Sequence, residues 1–402
     1  MRIGRTLPPA ASPITSIDFL RGIAAIFQGQ QRIKRFDEEV KRYFDVPHCF
    51  LLSSGKAALT IILRSLHDLY PERYEVVIPA YNCYSVPSAI TRAGLTVTPC
   101  DIDPQTLDFN FDHLSSLFLS NRKKILAVVP AHFFGLPSDI PRLRKISPDP
   151  EITIIEDAAQ AMGGATGGKK LGTLGDAGFY SLGRGKAFST VEGGIIITGN
   201  TELAGRIRQY YSQVQDYDLA ETGKLIINAL LLVFFQHPLF FWFPKGLPFL
   251  NLGETIYDPD FKIKKLSPFQ AGLAAAWQEK LAAFMRQRNK KTGMMEELLD
   301  GGIFLDAAGT SKASLIRLPI VVHDLEKRKR ILAESNRLGL GVMPTYPAPV
   351  NCIDELQYLH AEREFTAARE MCEKIITLPV HPFVTGKDVH KITSIVNANE
   401  KI

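Results

Sequence analysis

The apolar positions of this chain follow two alternating patterns. Short unbroken runs rich in valine and isoleucine recur at VVIP (76–79), TVTPC (96–100), ILAVVP (125–130), ITIIE (152–156) and IIIT (195–198). Runs that are apolar at successive positions, rather than at every second one, predict strands covered on both faces, as in a parallel sheet between helix layers. Between them lie stretches with helical spacing, the clearest being GKAALTIILRSLHDL (55–69), and Ser53-Ser54 ahead of it predicts an N-cap. The alternation predicts a doubly wound α/β fold with a mostly parallel sheet. Ligands in such folds sit beyond the carboxyl ends of the strands, the level at which Ser54, Asp157 and Ser181 fall.

Beyond Pro268, the stretch 269–299 predicts one long helix leading into a second unit, which SLIRLPIVV (314–322) and AEREFTAAREMCEKI (361–375) mark as a smaller α+β domain. A boundary near residue 275 divides the chain into a large domain over 1–275 and a small C-terminal one over 276–402. One segment departs from this plan. LIINALLLVFFQHPLFFWF (225–243), inside an insert over about 224–250, approaches the length of a membrane span. Asn228, the Gln236-His237-Pro238 break and Pro244 argue against a crossing helix. The expectation is an apolar hairpin buried in a subunit interface. A peripheral membrane contact, with Lys245 and the aromatic residues at the lipid boundary, is the alternative.

Composition narrows the class. A chain of 402 residues, 46% hydrophobic and 22% charged, has enzyme-sized globular proportions. Its net charge of +5 arises without a long basic run, which suits anionic small molecules or a membrane surface and gives nucleic acid no special support. The five cysteines, Cys49, Cys83, Cys100, Cys352 and Cys372, are scattered and form no C-x-x-C pair, so neither a disulfide framework nor a zinc site is expected. A reducing cytoplasm fits them. The first residues, broken by prolines and Asp18, do not read as a signal peptide. The nine histidines show no ligand spacing such as H-E-x-x-H, and no catalytic metal is expected.

The chemistry concentrates in GFYSLGRGKAFSTVEGG (178–194). Here Lys186 stands among Gly183, Gly185, Gly193 and Gly194, which let backbone and a planar ligand approach where side chains would clash. About thirty residues earlier, Asp157 ends an apolar run. By itself it is better explained as a helix cap, and Lys186 by itself as a surface lysine. Together they match what pyridoxal phosphate needs: an amine for its aldehyde and a carboxylate for its ring nitrogen. Ser53-Ser54-Gly55-Lys56, opening a helix after an apolar run, would offer free N–H groups to a phosphate, with the Ser181 hydroxyl beside them.

The chain also resembles the DegT-type sugar aminotransferases. The resemblance rests on LSSGKAAL (52–59), IPAYNCYSVPSAITRAGLTVTPCDID (78–103), VPAHFFGLPSDI (129–140), IEDAAQAMGG (155–164), YSLGRGKAFSTVEGG (180–194), GVMPTYPAPV (341–350) and LPVHPFVT (378–385), in the family's order. It implies a pyridoxal-phosphate-dependent transferase of fold type I, a homodimer, that moves an amino group from an amino acid, glutamate above all, to a keto group of a nucleotide-linked sugar for cell-surface polysaccharide or glycolipid synthesis. By the same resemblance Lys186 takes the covalent cofactor position, Asp157 the ring nitrogen, Gln160 the ring side, and Ser181, Gly55 and Lys56 the phosphate. Cys83 falls where an aromatic residue often stacks on the ring, and Tyr346 in a loop near the sugar. A Gly-x-Asn-x-Arg stretch of the family is replaced by FKIKK (261–265). Relatives with histidine at the lysine position remove a hydroxyl instead, so lysine here favours amine transfer. A transaminase with a non-sugar or lipid-linked acceptor, and a cofactor-binding regulator without turnover, are the competing readings.

Overall fold

The computed structural model describes residues 3–147, 149–247, 253, 255–299, 303–305, 314–356 and 364–398. Twelve strands carry the sheets. In chain order they are β1 (His48–Leu52), β2 (Glu75–Pro79), β3 (Thr96–Cys100), β4 (Ile125–Val128), β5 (Thr153–Asp157), β6 (Ala165–Thr166), β7 (Lys169–Lys170), β8 (Ala177–Ser181), β9 (Gly194–Thr198), β10 (Arg317–Val321), β11 (Met343–Pro344) and β12 (Ile375–Pro379). Seven of them form the main sheet in the order β1-β9-β8-β5-β4-β2-β3. The pairs β3-β2, β2-β4, β4-β5 and β5-β8 are parallel. The IIIT run does not join them in direction: β9 is antiparallel to both β8 and β1. Its unbroken apolar character reports coverage on both faces and not strand direction. Ile196 packs with Phe50, Leu59, Ile62 and Leu203 on one side. Ile195 and Ile197 pack with Phe36, Tyr180 and Trp277 on the other.

The helix Gly55–Leu69 forms where its spacing predicts, and Ser54 caps it by accepting the Ala57 N–H at 3.1 Å. The long helix expected over 269–299 is instead two, Pro268–Leu273 and Trp277–Glu296, broken at Ala276, whose φ is 56°. A short sheet in the order β10-β12-β11 follows, with the helix Gly386–Asn397 packed on it through Val389, Ile392 and Val396. The N-terminal arm joins this unit, with Leu7 in its core and Arg5 paired to Asp388 at 2.6 Å. The pattern over 361–375 yields a helix at Thr366–Lys374, while residues 361–363 lie outside those described.

The apolar segment is a helix, Leu219–Phe235, opened by the Asp218/Glu221 capping box, followed by a turn and the short helix Trp242–Lys245. Residues 248–250 of the insert lie outside those described. Leu225 and Ala229 bury one face against Ile14, Val191, Phe269 and Leu273. Ile227, Phe234, Leu239, Phe240 and Phe243 remain exposed. No described helix is long and apolar enough to cross a membrane.

Candidate active site

At the carboxyl ends of β1, β5 and β8 three short turns meet. The first leads from β1 into the helix Gly55–Leu69. A Cβ built on Gly55 would lie 3.2 Å from the Ser181 Cβ, so glycine is what lets the helix N-terminus close on the β8 turn. Gly194 is tighter, since a Cβ there would lie 2.1 Å from the Ser54 carbonyl oxygen. The result is a small cradle of free helix N–H groups beside the Ser181 hydroxyl, which itself accepts the Gly183 N–H at 3.3 Å. The Lys56 side chain points elsewhere. Its amine pairs with Asp258 Oδ2 at 3.2 Å and lies 4.4 Å from the Phe261 ring centroid, so only its backbone belongs to the cradle. The FKIKK stretch docks alongside, Ser53 N donating to the Lys264 carbonyl at 2.8 Å.

Asp157 ends β5. Burial pushes its carboxyl above the usual range, and the Ala159 N–H, donated to Oδ1 at 3.0 Å, and the Lys186 and His132 charges pull it back. Its neighbour Glu156, fully buried on the other face, accepts N–H groups from Gly172, Leu174 and Gly175 at 2.8, 2.5 and 2.6 Å and is 2.8 Å from His132 Nε2. Because His132 N also donates to the Asp157 carbonyl at 3.0 Å, this buried network fixes the strand end that carries Asp157.

Lys186 ends a turn that begins at Gly183, whose carbonyl accepts the Lys186 N–H at 3.4 Å, with Gly185 inside it at φ +73°. Its carbonyl is held from two directions: it accepts from the Ser12 hydroxyl and from Arg288 Nη2 at 3.2 Å. Arg288, buried on the helix Trp277–Glu296 and lowered to about 10 by that burial, also reaches the Ala187 carbonyl at 3.0 Å and Ser12 Oγ at 3.1 Å. Neither Ser12 nor Arg288 carries a sequence signal, because their role exists only after distant segments meet.

Lys186 borders a cleft of about 780 Å³ whose lining does not include Gly55, Asp157 or Ser181. Lys186, Gln160, Cys83 and Tyr346 all line it. Gln160 Nε2 donates to the Tyr346 hydroxyl at 3.0 Å, and Gln160 Oε1 accepts the Phe134 N–H at 3.2 Å. Cys83 Sγ lies 3.0 Å from Ser85 Oγ and 3.3 Å from Thr255 Oγ1. Asn228, Leu231, Leu232, Phe235 and Phe241 form a wall of the same cleft. The segment read as an interface or membrane element therefore also lines the site, which its composition alone did not reveal. The charged side chains of the lining, Arg184, Lys186 and Arg317, are all basic.

This arrangement fits pyridoxal phosphate. The Gly55–Ser181 cradle suits its phosphate, Asp157 a ring N–H and Lys186 its aldehyde, and a side chain at Gly55 would crowd the phosphate end. All five cysteines are unpaired, and no cluster of metal-binding side chains is found among the described residues.

Comparison with known proteins agrees. The chain is 30% identical over 385 residues to an uncharacterized protein of Methanocaldococcus jannaschii, covering 94% of this chain and 91% of that one. It is 30% identical to GDP-perosamine synthase of Caulobacter vibrioides and to GDP-4-keto-6-deoxy-D-mannose 3-dehydratase of Yersinia pseudotuberculosis, over 46% and 44% of this chain. These matches span 48% and 46% of the two relatives, so the chain spans about half the length of several curated relatives it matches. In fold it is similar to PseC of Helicobacter pylori, an aminotransferase involved in the biosynthesis of pseudoaminic acid, with a TM-score of 0.76 at 18% identity over 98% of both chains. A putative sugar aminotransferase of Streptococcus pneumoniae, solved in its PMP form, gives 0.75 at 20% identity over 97% of this chain and 98% of that one. The model of the DegT/DnrJ/EryC1/StrS aminotransferase family matches residues 24–397, and the chain belongs to that family of pyridoxal-phosphate enzymes.

Proposed function

We propose that this chain is a cytoplasmic, homodimeric aminotransferase that takes nitrogen from glutamate and delivers it to a keto group of a nucleotide-linked sugar, for cell-surface polysaccharide or glycolipid synthesis. The observation that carries the reading is Lys186 at the cleft, its carbonyl held by Ser12 and Arg288, with Asp157 close enough to feel its charge. The Caulobacter relative is named as a sugar-amine synthase and the Yersinia relative as a dehydratase. Lysine at position 186 favours the first kind of reaction.

Each residue has a task. The Gly55 turn and Ser181 bind the phosphate, and the Asp157 carboxylate holds a proton on the ring nitrogen. The ring, when bound, accepts the electron pair left as the donor Cα loses its proton. Lys186 Nζ, free between attachments, takes that proton and returns it on the opposite carbon, and in the second half of the cycle it runs the same transfer in reverse toward the sugar. Gln160 and Tyr346, joined by their hydrogen bond, limit the cleft on the substrate side.

The test is the absorbance spectrum of the protein loaded with pyridoxal phosphate, before and after glutamate, beside Lys186→Ala. A visible band that glutamate shifts in the wild type alone is expected. A band that no amino donor shifts would leave only the reading of a cofactor-binding protein without turnover. A second reading has its own observation: the apolar wall from Leu231 to Phe241 favours an acceptor with a hydrocarbon part, presented at a membrane by the exposed Phe234, Leu239 and Phe240. Cosedimentation with anionic lipid vesicles checks it, and a protein that stays in the supernatant removes it.

A further inference from the structure

The helix Ser16–Gln28 buries Asp18, Gly22 and Ala25 and leaves Ile17, Leu20 and Phe27 exposed, Phe27 at 88%. Spaced by three and seven residues, those three stand on one side of the helix. The helix Leu219–Phe235 does the same with Ile227, Leu230 and Phe234, and the turn after it adds Leu239 and Phe240. Phe19 and Ile23 of the first helix share a small core with Leu225, Ala229 and Val233 of the second, so their outward stripes are neighbours. An apolar face of this extent marks a contact surface. Its border is basic. Arg21 and Gln28, beside the first stripe, line a cavity of about 320 Å³ with Arg32, Arg35 and Glu39 of the helix Gln30–Phe44. Glu39 serves two guanidinium groups, Arg35 at 3.1 Å and Arg32 at 3.5 Å. Asp18 serves Lys280 at 2.7 Å and Arg21 only at 3.9 Å. Two carboxylates thus answer four cations, and Arg21 and Arg35 carry the surplus to the surface. Along the second helix the chain runs from Lys224 to Lys245 without one acidic residue.

We propose that these two helices dock the protein on an anionic lipid bilayer, and that the cavity of Arg21, Arg32 and Arg35 receives a headgroup phosphate. Aliphatic and aromatic side chains enter the acyl boundary while the basic border meets the phosphates around them, and a guanidinium fork matches two phosphate oxygens in parallel hydrogen bonds. A second copy of the chain fits less well. A two-fold contact sets the same patch on both subunits, and here it would bring two basic borders together. Docking through the helix Ser16–Gln28 needs no lipid-linked acceptor, so it stands apart from both the transaminase reading and the acceptor reading above.

The experiment sediments the cofactor-loaded full chain with vesicles of phosphatidylcholine alone and of phosphatidylcholine mixed with phosphatidylglycerol. Wild type is compared with Arg21→Gln/Arg35→Gln, Leu20→Ser/Phe27→Ser and Phe234→Ser, all at exposed positions that the fold does not need. Wild type is expected on the anionic vesicles only, with partition about 10-fold or more weaker in the arginine pair and weaker by a similar factor in Leu20→Ser/Phe27→Ser. The visible cofactor band and the mass in solution should stay unchanged in both double variants. Equal partition onto neutral vesicles, or none onto either, overturns the proposal. So does a fall in mass on Leu20→Ser/Phe27→Ser, which would make the face a subunit interface. Glycerol phosphate bound at the arginines without vesicle partition would leave a site for a soluble phosphate and overturn the docking. If Phe234→Ser alone releases the protein, the insert carries the contact by itself: the acceptor reading stands and docking through the arginine cavity falls. A wild type that binds anionic vesicles through Arg21 and Arg35 yet shows no absorbance change with any amino donor keeps the docking and loses the transaminase reading.

Discussion

On one side of Lys186, outside the residues that line the cleft, lies a cluster of turns built largely of backbone. Helix N–H groups at Gly55, the β8 turn at Ser181 and the end of β5 at Asp157 lie on the edge of one sheet, each within a few residues of a strand. On the other side the cleft is made of side chains delivered by remote segments: the arm at Pro8–Ala10, the helix Leu219–Phe235, and the stretches around Arg317 and Tyr346. The backbone side tolerates little change, because close approach depends on glycine and on strand register. The side-chain side can be rebuilt residue by residue, which is how one scaffold accepts different substrates.

The largest effect is expected on the backbone side. Asp157→Asn keeps the shape and removes the charge that, in the proposed reading, holds the ring proton, and should lower the rate of both half-reactions by about 10²- to 10³-fold, read by stopped-flow absorbance. A loss confined to one half-reaction would mean that Asp157 acts on a substrate and not on the cofactor ring.

Next in size is a pH effect on the arm that closes the other side. His381 is buried, and its Nε2–H donates to the Pro8 carbonyl at 2.8 Å. Burial lowers it to about 3 from an ordinary value of 6.5. The folded state keeps this ring neutral while the unfolded chain protonates it below about 6.5, so its contribution is complete above that pH and declines as pH falls toward about 3. Between pH 6.5 and 5 the stability of wild type relative to His381→Gln should drop by about 2 kcal/mol in urea unfolding. A difference that stays flat over that window would show that His381 is no proton-linked anchor.

Legibility divides along the same line. Ser54, Gly55, Asp157, Ser181 and Lys186 can be read from the chain because each owes its place to a local signal: a cap, a glycine, a strand end. The direction of the Lys56 side chain is not legible, because it is set by Asp258 and Phe261, about two hundred residues away. Ser12, His132, Glu156 and Arg288 give no local signal, since each acts through a partner brought by the fold. The break at Ala276 is hidden for a similar reason: neither glycine nor proline marks it, and its positive φ is imposed by packing.

A smaller effect tests how closely the backbone side is fitted. Gly55→Val puts branched carbons where only 3.2 Å separates a Cβ from Ser181. Overpacking of this kind costs about 1–3 kcal/mol, so cofactor affinity should weaken about 10-fold in a titration with pyridoxal phosphate. Affinity equal to the wild type would place the phosphate away from this turn.

The smallest effect belongs to the apolar wall, and it sharpens the contrast most. Phe235 lines the cleft and stacks on Phe243 with ring centroids 5.5 Å apart. Removing a partly buried ring forfeits about 1 kcal/mol of apolar contact, and it does so only for a ligand that reaches the wall. Phe235→Ala should therefore raise the KM for the acceptor a few-fold, at about 1 kcal/mol, and leave the amino-donor half-reaction alone, because the proposed reading places the donor beside Lys186. An equal loss in both half-reactions would show that the wall supports the Lys186 turn and that the two sides of Lys186 are one mechanical unit. An unchanged acceptor KM would place the acceptor elsewhere and leave the wall as packing for the arm and the helix Ser16–Gln28.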